Sequence, residues 1–532
     1  MMTPSNANSR QRVALVICAV LAVQALLQLW PGYLAINGHE VDAIHAVTAA
    51  IRVADGAQQH IDFVSPLGVL TFLPAAMFIK VGFGAGLAFI LSQLLVALIL
   101  APMIWYAATS RLTGLAAPFF AAISIIMITA LVYGGDNATV SISMFYNRWA
   151  WVAYFLVVIL IMLPRNGGDR VREGVVIALC LSMLVLLKAT YFLTLVPVVG
   201  IWLIMKRDAR LIGTVVTVGL GCLIVSTLAF GGVDFWVSYV ENLRLVATSD
   251  VRPAPGKGLG EIVASPAFFA GTQCLLAAIV GLRMGGRKSE GLLLLLLSPG
   301  FIYITYQNWG NDPKWLILLG FLALGWRFLA NGAPFGVPAR GYFAGLALAC
   351  FAVSTPTILN LTMSSVRHAG SDRAAHVTIA ADPRHDDLLI ERDRSFDGQA
   401  MMTIPVAGEE SGEPLMFAGV EVGGCTQKFG YFGKMAEISS VLKDAGYGDV
   451  LVAFVDVNNP LPLIGGFSQI AVEPPWYYGG SRAARAADVL VVPKCPVSKV
   501  TFNAYIADLN AAGLSWDLVE DTRHYRLFRP RP

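Results

Sequence analysis

The chain has 532 residues, of which 56% are hydrophobic and only 14% charged, and its mean hydropathy is +0.64. A soluble globular chain carries about 25% charged residues, so an ordinary soluble fold is excluded. A net charge of +3 without any basic tract gives no reason to expect a nucleic-acid partner.

In chain order, the first apolar run (13–30) follows Arg10 and Arg12. It is longer than the roughly 7–15-residue core of a signal peptide and is followed by no small-x-small cleavage site, so it reads as a first transmembrane helix. Further runs predict spans at 86–108, 113–133, 149–163, 173–187, 190–205, 211–231, 266–283, 291–306, 315–331 and 341–361. With 13–32 these make about eleven transmembrane helices, the pattern of a polytopic α-helical membrane protein.

The apolar stretch 66–81 would invert everything after it if it crossed. Placing it at the interface instead puts the basic segments around Arg111, Arg165/Arg170/Arg172, Lys206/Arg207/Arg210, Arg283/Arg287/Lys288 and Arg327/Arg340 on the side of Arg10. The positive-inside rule makes that side cytoplasmic. The loop at 33–85 and those at 134–148, 232–265 and 306–314 are then outside, as is the C-terminus after an odd number of spans. No internal repeat is visible, which disfavours inverted-repeat transporter folds.

The division expected is a transmembrane domain at 1–361 and an extracytoplasmic α/β domain at 362–532. In the latter, 450–455 and 489–492 read as buried strands, and 432–445 and 500–513 as helices. Cys425 and Cys495 lie there; a disulfide in an oxidising compartment and two buried thiols are equally consistent with the sequence. The other five cysteines fall in apolar runs, and the lack of a CxxC or Cys/His ligand spacing argues against structural zinc.

The first outer loop concentrates chemistry: His39-Glu40-Val41-Asp42, then His45, Arg52, Asp55-Gly56, Asp62-Phe63 and Pro66-Leu67-Gly68. Residues 42–55 can form three to four helical turns ended by Gly56. This loop resembles that of the GT-C superfamily of membrane glycosyltransferases, of the mannosyl- and arabinosyl-transferring kind. Asp42 takes the place of the family's leading Asp, Arg52 of its Arg, Asp62-Phe63 of its Asp-Phe, and Pro66-x-Gly68 of its Pro-x-Gly. The family's adjacent Asp-Glu is Asp42-Ala43 here, with Glu40 two residues upstream, and Val69 replaces a second Pro. The resemblance implies transfer of a sugar from a polyprenyl-phosphate carrier on the outer face of a bacterial cytoplasmic membrane. It also implies a second acidic residue in the second outer loop, where Asp136 matches by position.

Independently of the family, transfer to a hydroxyl needs a carboxylate to take its proton, and an anionic lipid-phosphate leaving group needs cations. Asp42 is the expected base and Asp136 an auxiliary carboxylate. Arg52 suits a phosphate or a neighbouring carboxylate, and Asp62 suits a turn as well as a substrate. Asn147 and Arg148 fit a binding site or an interfacial belt with a snorkelling arginine. Lys188, between two short apolar stretches, is a phosphate contact or half of a buried ion pair. Asn308, Asp312 and Lys314 suit sugar recognition or an interfacial helix connection. Trp476-Tyr477-Tyr478 suits stacking on a sugar or a domain core. His39 and His45 lack a recognised metal spacing; no cofactor is expected, a divalent cation being left open.

The expected function is an inverting glycosyltransferase acting on a polyprenyl-phosphate-linked sugar and a lipid, glycan or protein acceptor. The alternatives are a lipid-linked-sugar transporter or flippase, or a non-catalytic membrane subunit. The absence of a Rossmann fingerprint or P-loop gives no support to a soluble nucleotide-sugar donor.

Overall fold

The computed structural model describes residues 4–166, 169–249, 251, 258–308, 311–396, 415–422 and 430–531. The first apolar run forms α1 (Pro4–Leu29), which leads through a short strand β1 (Leu34–Ile36) into α2 (Glu40–Ala54). That helix stops at Asp55 because Gly56 has φ 104, a backbone that glycine alone adopts at little cost. A single 3-10 turn (Val69–Thr71) precedes α3 (Leu73–Lys80). Eight residues rise about 12 Å, far short of the roughly 30 Å of a bilayer's hydrocarbon, so α3 does not cross.

There follow α4 (Ala85–Arg111), α5 (Ala116–Thr129), a hairpin of β2 (Val132–Gly134) and β3 (Asn137–Val140), and α6 (Phe145–Met162). Then come α7 (Arg170–Leu187), α8 (Ala189–Lys206), α9 (Ala209–Ala229), α10 (Val233–Ala247) and α11 (Leu259–Ala264). The bundle closes with α12 (Pro266–Met284), α13 (Lys288–Gln307), α14 (Trp315–Trp326) and α15 (Ala339–Ala369).

Among the described residues, eight helices are long and apolar enough to cross a membrane, and the chain is an integral membrane protein. All eleven expected spans are helical, but three fall short of that standard. The apolar helices α5 and α14 have 14 and 12 residues, and α7 carries Arg170, Arg172 and Glu173 at its start. Of these, α14 is buried almost throughout, so protein neighbours rather than lipid surround it.

After α15 come β4 (His376–Thr378), β5 (Leu388–Glu391), α16 (Arg392–Phe396), the two-residue strands β6 (Met416–Phe417) and β7 (Val420–Glu421), and α17 (Tyr431–Asp444). They are followed by β8 (Val452–Phe454), α18 (Leu461–Gly465), α19 (Arg482–Ala486), β9 (Val489–Pro493), α20 (Lys499–Ala511), β10 (Trp516–Asp521) and β11 (Tyr525–Pro530). A four-stranded sheet runs β10-β11-β9-β8, with β8 and β9 parallel and the other pairs antiparallel. Cys495 is disulfide-bonded, while Cys425 lies outside the described residues.

The tail grips the first loop. β1 pairs in parallel with β5, Leu34 opposite Leu388, and the Asp387 carboxylate accepts from the backbone N–H groups of Gly86 (3.0 Å) and Leu87 (2.7 Å) at the start of α4. Arg52 reaches from α2 to donate to the carbonyls of Ala471 and Glu473. On the bundle side, Gly68 N–H and Thr71 Oγ1 donate to the Leu187 carbonyl at 2.9 and 3.1 Å. A Cβ at Gly68 would lie 2.1 Å from the Leu186 carbonyl oxygen, so the Pro-x-Gly turn needs its glycine for close approach.

Gly68→Ala is expected to destabilise the protein by about 1–3 kcal/mol through this overlap. Gly219→Ala, with nothing within 4 Å of the added carbon, should leave the thermal midpoint in detergent essentially unchanged. A second expectation concerns His60, buried against Phe235 and Tyr239 and paired with Asn242. Burial pushes its imidazole down to about 3, against about 6.5 in an unfolded chain. Below pH 6.5 the unfolded chain takes up a proton that the folded one refuses, so stability falls as pH drops from about 6.5 towards 3. Thermal midpoints measured across that window should decline, and His60→Gln should flatten part of the decline.

Candidate functional site

The end of the bundle that meets the tail collects the polar side chains. His39 is the N-cap of α2 in a left-handed conformation (φ 53), which turns the chain so that Glu40 and Asp42 occupy the first helical turn. Exposed N–H groups there favour carboxylates. Arg394 of α16 forms an ion pair with Glu40, and Asn458 Nδ2 donates to the Val41 carbonyl at 3.1 Å, so the tail holds this helix end.

Asp42 is half-buried and accepts a hydrogen bond from Ser143 Oγ at 3.3 Å. One turn on, Asn147 donates to the Ser143 carbonyl (3.0 Å), and its Oδ1 accepts from Lys188 Nζ at 3.2 Å. Lys188 also donates to Asn308 Oδ1 at 2.5 Å and lies 5.8 Å from the centre of the Tyr146 ring. Residues far apart in sequence thus form one chain of contacts from carboxylate to ammonium: Asp42, Ser143, Asn147, Lys188, Asn308.

Lys188 sits where two spans fold back on each other. It is a single extended residue (φ −157, ψ 107) between α7 and α8. The carbonyls this turn leaves are met by Gly68 and Thr71 at Leu187, and by the Tyr239 hydroxyl at Val185 (2.8 Å). Below it, α8 and α13 part to leave an apolar groove of about 320 Å³ lined by Thr194, Pro197, Val198, Leu296, Pro299 and Tyr303 among others. Its rim residues Ile201 and Tyr303 are exposed, so it opens on the side of the bundle. Nearer Lys188 and Asn308 the same two helices are joined by a 2.5 Å hydrogen bond between Thr190 and Gln307.

A second layer lies across Tyr133. Lys314, buried, pairs with Asp312 Oδ1 at 2.5 Å, and Thr357 donates to Oδ2 at 2.8 Å. Burial lowers the Lys314 ammonium, and Asp312 opposes that shift. Burial raises the Tyr133 phenol, and both Asp312 and Asp42 push it the same way. Its ring lies 4.8 Å from that of His39, whose imidazole is lowered by burial against the opposing pull of Asp42 and Glu40. Tyr133 therefore stands between the two acids.

Other sequence candidates are placed differently. Arg148 is fully buried and spends Nε, Nη1 and Nη2 on the carbonyls of Met127, Val132 and Ala130, capping the C-terminus of α5. Arg52 is buried on carbonyls of the tail with its guanidinium 4.5 Å over Phe63. Both guanidiniums are thus spent largely on backbone carbonyls in this arrangement. Asp62 is exposed and accepts from Gln58 N–H, closing a turn. Asp136 is exposed at the tip of the β2–β3 hairpin; the acid beside Tyr133 is Asp312 instead. Trp476 meets His45 edge-on, and Tyr477 stacks on Tyr505 at 4.0 Å, both within packed surroundings. Among the described residues no three His, Cys, Asp or Glu side chains group as a metal site. Ser143, Tyr133 and Arg394 escaped the sequence reading: a serine, a tyrosine and a tail arginine carry no spacing that links them to Asp42.

No family model and no curated protein matches the chain. Solved structures similar to the chain include two of ArnT from Cupriavidus metallidurans, one in the apo state and one bound to undecaprenyl phosphate. Each is 11% identical, covers 97% of both chains and has a TM-score of 0.43. At that identity and TM-score the likeness carries no argument for chemistry.

The Glu40–Arg394 pair gives a direct check of how the tail holds α2. Glu40→Arg and Arg394→Glu, each placing like charges together, should each lower the thermal midpoint and speed proteolytic cutting of the tail. The double variant should recover most of the loss, the signature of a direct pair.

Proposed function

We propose that this chain is a membrane glycosyltransferase that moves a sugar from a polyprenyl-phosphate donor to an acceptor hydroxyl, with inversion at the anomeric carbon. The observation that carries it is the ammonium of Lys188 at the turn into α8, a helix that farther along lines an apolar groove open to the side of the bundle, and its link through Asn147 and Ser143 to the Asp42 carboxylate. A donor with an apolar tail and an anionic head would lay its tail along the groove and its phosphate at Lys188.

Asp42 then accepts the proton as the acceptor oxygen attacks C1 from the face opposite the phosphate. The C1–O bond breaks, its electron pair goes to the departing polyprenyl phosphate, and Lys188 meets the added negative charge. One displacement inverts the centre. Asn308, held between Lys188 and Tyr191, positions the cation. Asp312, Lys314 and Tyr133 form the far wall, where acceptor or sugar hydroxyls would be recognised; Asp136, at the hairpin tip, is left for the acceptor's approach.

The opposite end of the bundle carries Arg10, Arg111, Arg165 and Arg170, with Arg111 and Arg165 on Glu173 and Arg170 on Asp208. The positive-inside rule supports reading that end as cytoplasmic and, with it, the site and the tail, taken as an extracytoplasmic domain, as lying on the outer face.

A transporter for the same lipid-linked sugar is the second reading, favoured by an ionisable side chain, Lys188, among apolar helices. The two diverge in whether the sugar–phosphate bond is cleaved. With purified chain, donor and acceptor, Asp42→Asn should lower transfer by about 10²–10⁴-fold with unchanged folding. Lys188→Met should lose more than Lys188→Arg. Near-wild-type turnover in Asp42→Asn would remove the base from this mechanism.

A further inference from the structure

The helix α10 has three distinct faces. Phe235, Tyr239 and Asn242, at i, i+4 and i+7, are buried against the protein. Val233, Val237 and Val240 repeat the same spacing on another face and are 69, 50 and 63% exposed. Asp234 and Glu241, one step round from that strip, are exposed and charged. A helix in water has no use for a separate valine face beside a charged one; a helix lying in a membrane surface needs both.

The surroundings say what covers the valines. α10 follows the spanning helix α9 after only Phe230, Gly231 and Gly232, and the two glycines turn the chain with φ 104 and 77. Trp236 Nε1 donates to Thr227 Oγ1 of α9 at 2.8 Å, holding the two helices together. The end of α9 exposes Ile224, Val225 and Leu228, the last at 80%. The valine face therefore continues the lipid-facing surface of a transmembrane helix. Arg244 falls on the same face as the valines, where a long cationic side chain can reach lipid phosphates while its stem stays in apolar surroundings.

We propose that α10 is an in-plane membrane helix, seated at the boundary between lipid headgroups and acyl chains by Val233, Val237 and Val240. This inference does not depend on the glycosyltransferase reading, but it gives α10 a consequence for it. The buried face of α10 holds the α7–α8 turn: the Tyr239 hydroxyl binds the Val185 carbonyl, and Phe235 packs with Leu186 and Val69. The depth at which α10 lies thereby sets the depth of Lys188.

The test uses the full chain in lipid nanodiscs, with the five free thiols (Cys18, Cys180, Cys222, Cys274, Cys350) replaced and the disulfide at Cys495 retained. Val240→Cys and Glu241→Cys are each labelled with an environment-sensitive fluorophore and exposed to brominated-acyl-chain lipids or to aqueous iodide. The expected result is quenching by brominated lipid at 240, with iodide quenching there about threefold or more below that at 241. Val237→Cys gives the same reading should the change at 240 impair folding. Absence of brominated-lipid quenching on the valine face, or iodide access there equal to that at 241, overturns the proposal; shielding from both quenchers would mean that a protein surface covers it.

Discussion

Two helices that fold back on each other through one extended residue must find partners for the carbonyls left at the turn, and the polar end of this bundle is arranged around that need at Lys188. Unpaired backbone groups at membrane depth are expensive, so such tight turns occur where protein supplies donors. Here the first loop supplies them: Gly68 N–H and Thr71 Oγ1 at Leu187. Meeting the turn fixes where the loop lies. The same loop then carries α2, and with it Asp42, to the ring of residues that the α6 start and the 308–314 segment present.

The cations of the molecule divide by what they touch. Arg52 and Arg148 each serve several backbone carbonyls, work for which a planar guanidinium with five donors is suited. Arg111 donates to the Leu160 carbonyl at 3.2 Å and pairs with Glu173 at 2.6 Å. Lys314 pairs with an acid, Lys188 donates to two amide oxygens, and Lys434 donates to the Cys495 carbonyl.

Much of the architecture is legible in the sequence because it follows from local pattern. Apolar runs of span length announce the helices, Gly56 announces the end of α2, and the apolar runs at 450–455 and 489–492 announce β8 and β9. Basic clusters mark one end of the bundle. What is not legible is set by tertiary contact. Nothing in Leu34-Ala35-Ile36 says that it will pair with a strand more than 350 residues away. The short span α14 looks like its neighbours in composition, and only its burial by other helices distinguishes it. Arg148 reads as a surface cation because sequence does not show that the end of α5 leaves three carbonyls beside it. Asp136 and Asp312 are both acids in polar loops; the fold of the β2–β3 hairpin turns one outward, while Tyr133 within it faces the other. Asp42 and Lys188 were recognisable singly, as an acid on an outer loop and a charge between short apolar stretches, but the Ser143–Asn147 link between them was not.

The proposed transferase breaks a sugar–phosphate bond at the site built on Asp42 and Lys188. Phosphorus NMR of the purified chain in nanodiscs, given a panel of short-chain polyprenyl-phosphate pentoses and hexoses with an acceptor extract, observes that bond directly. The expected result is loss of the phosphodiester resonance and growth of the polyprenyl monophosphate resonance for one donor class, dependent on the chain. A diester resonance that persists with every donor while the lipid redistributes between leaflets would contradict the claim and favour transport.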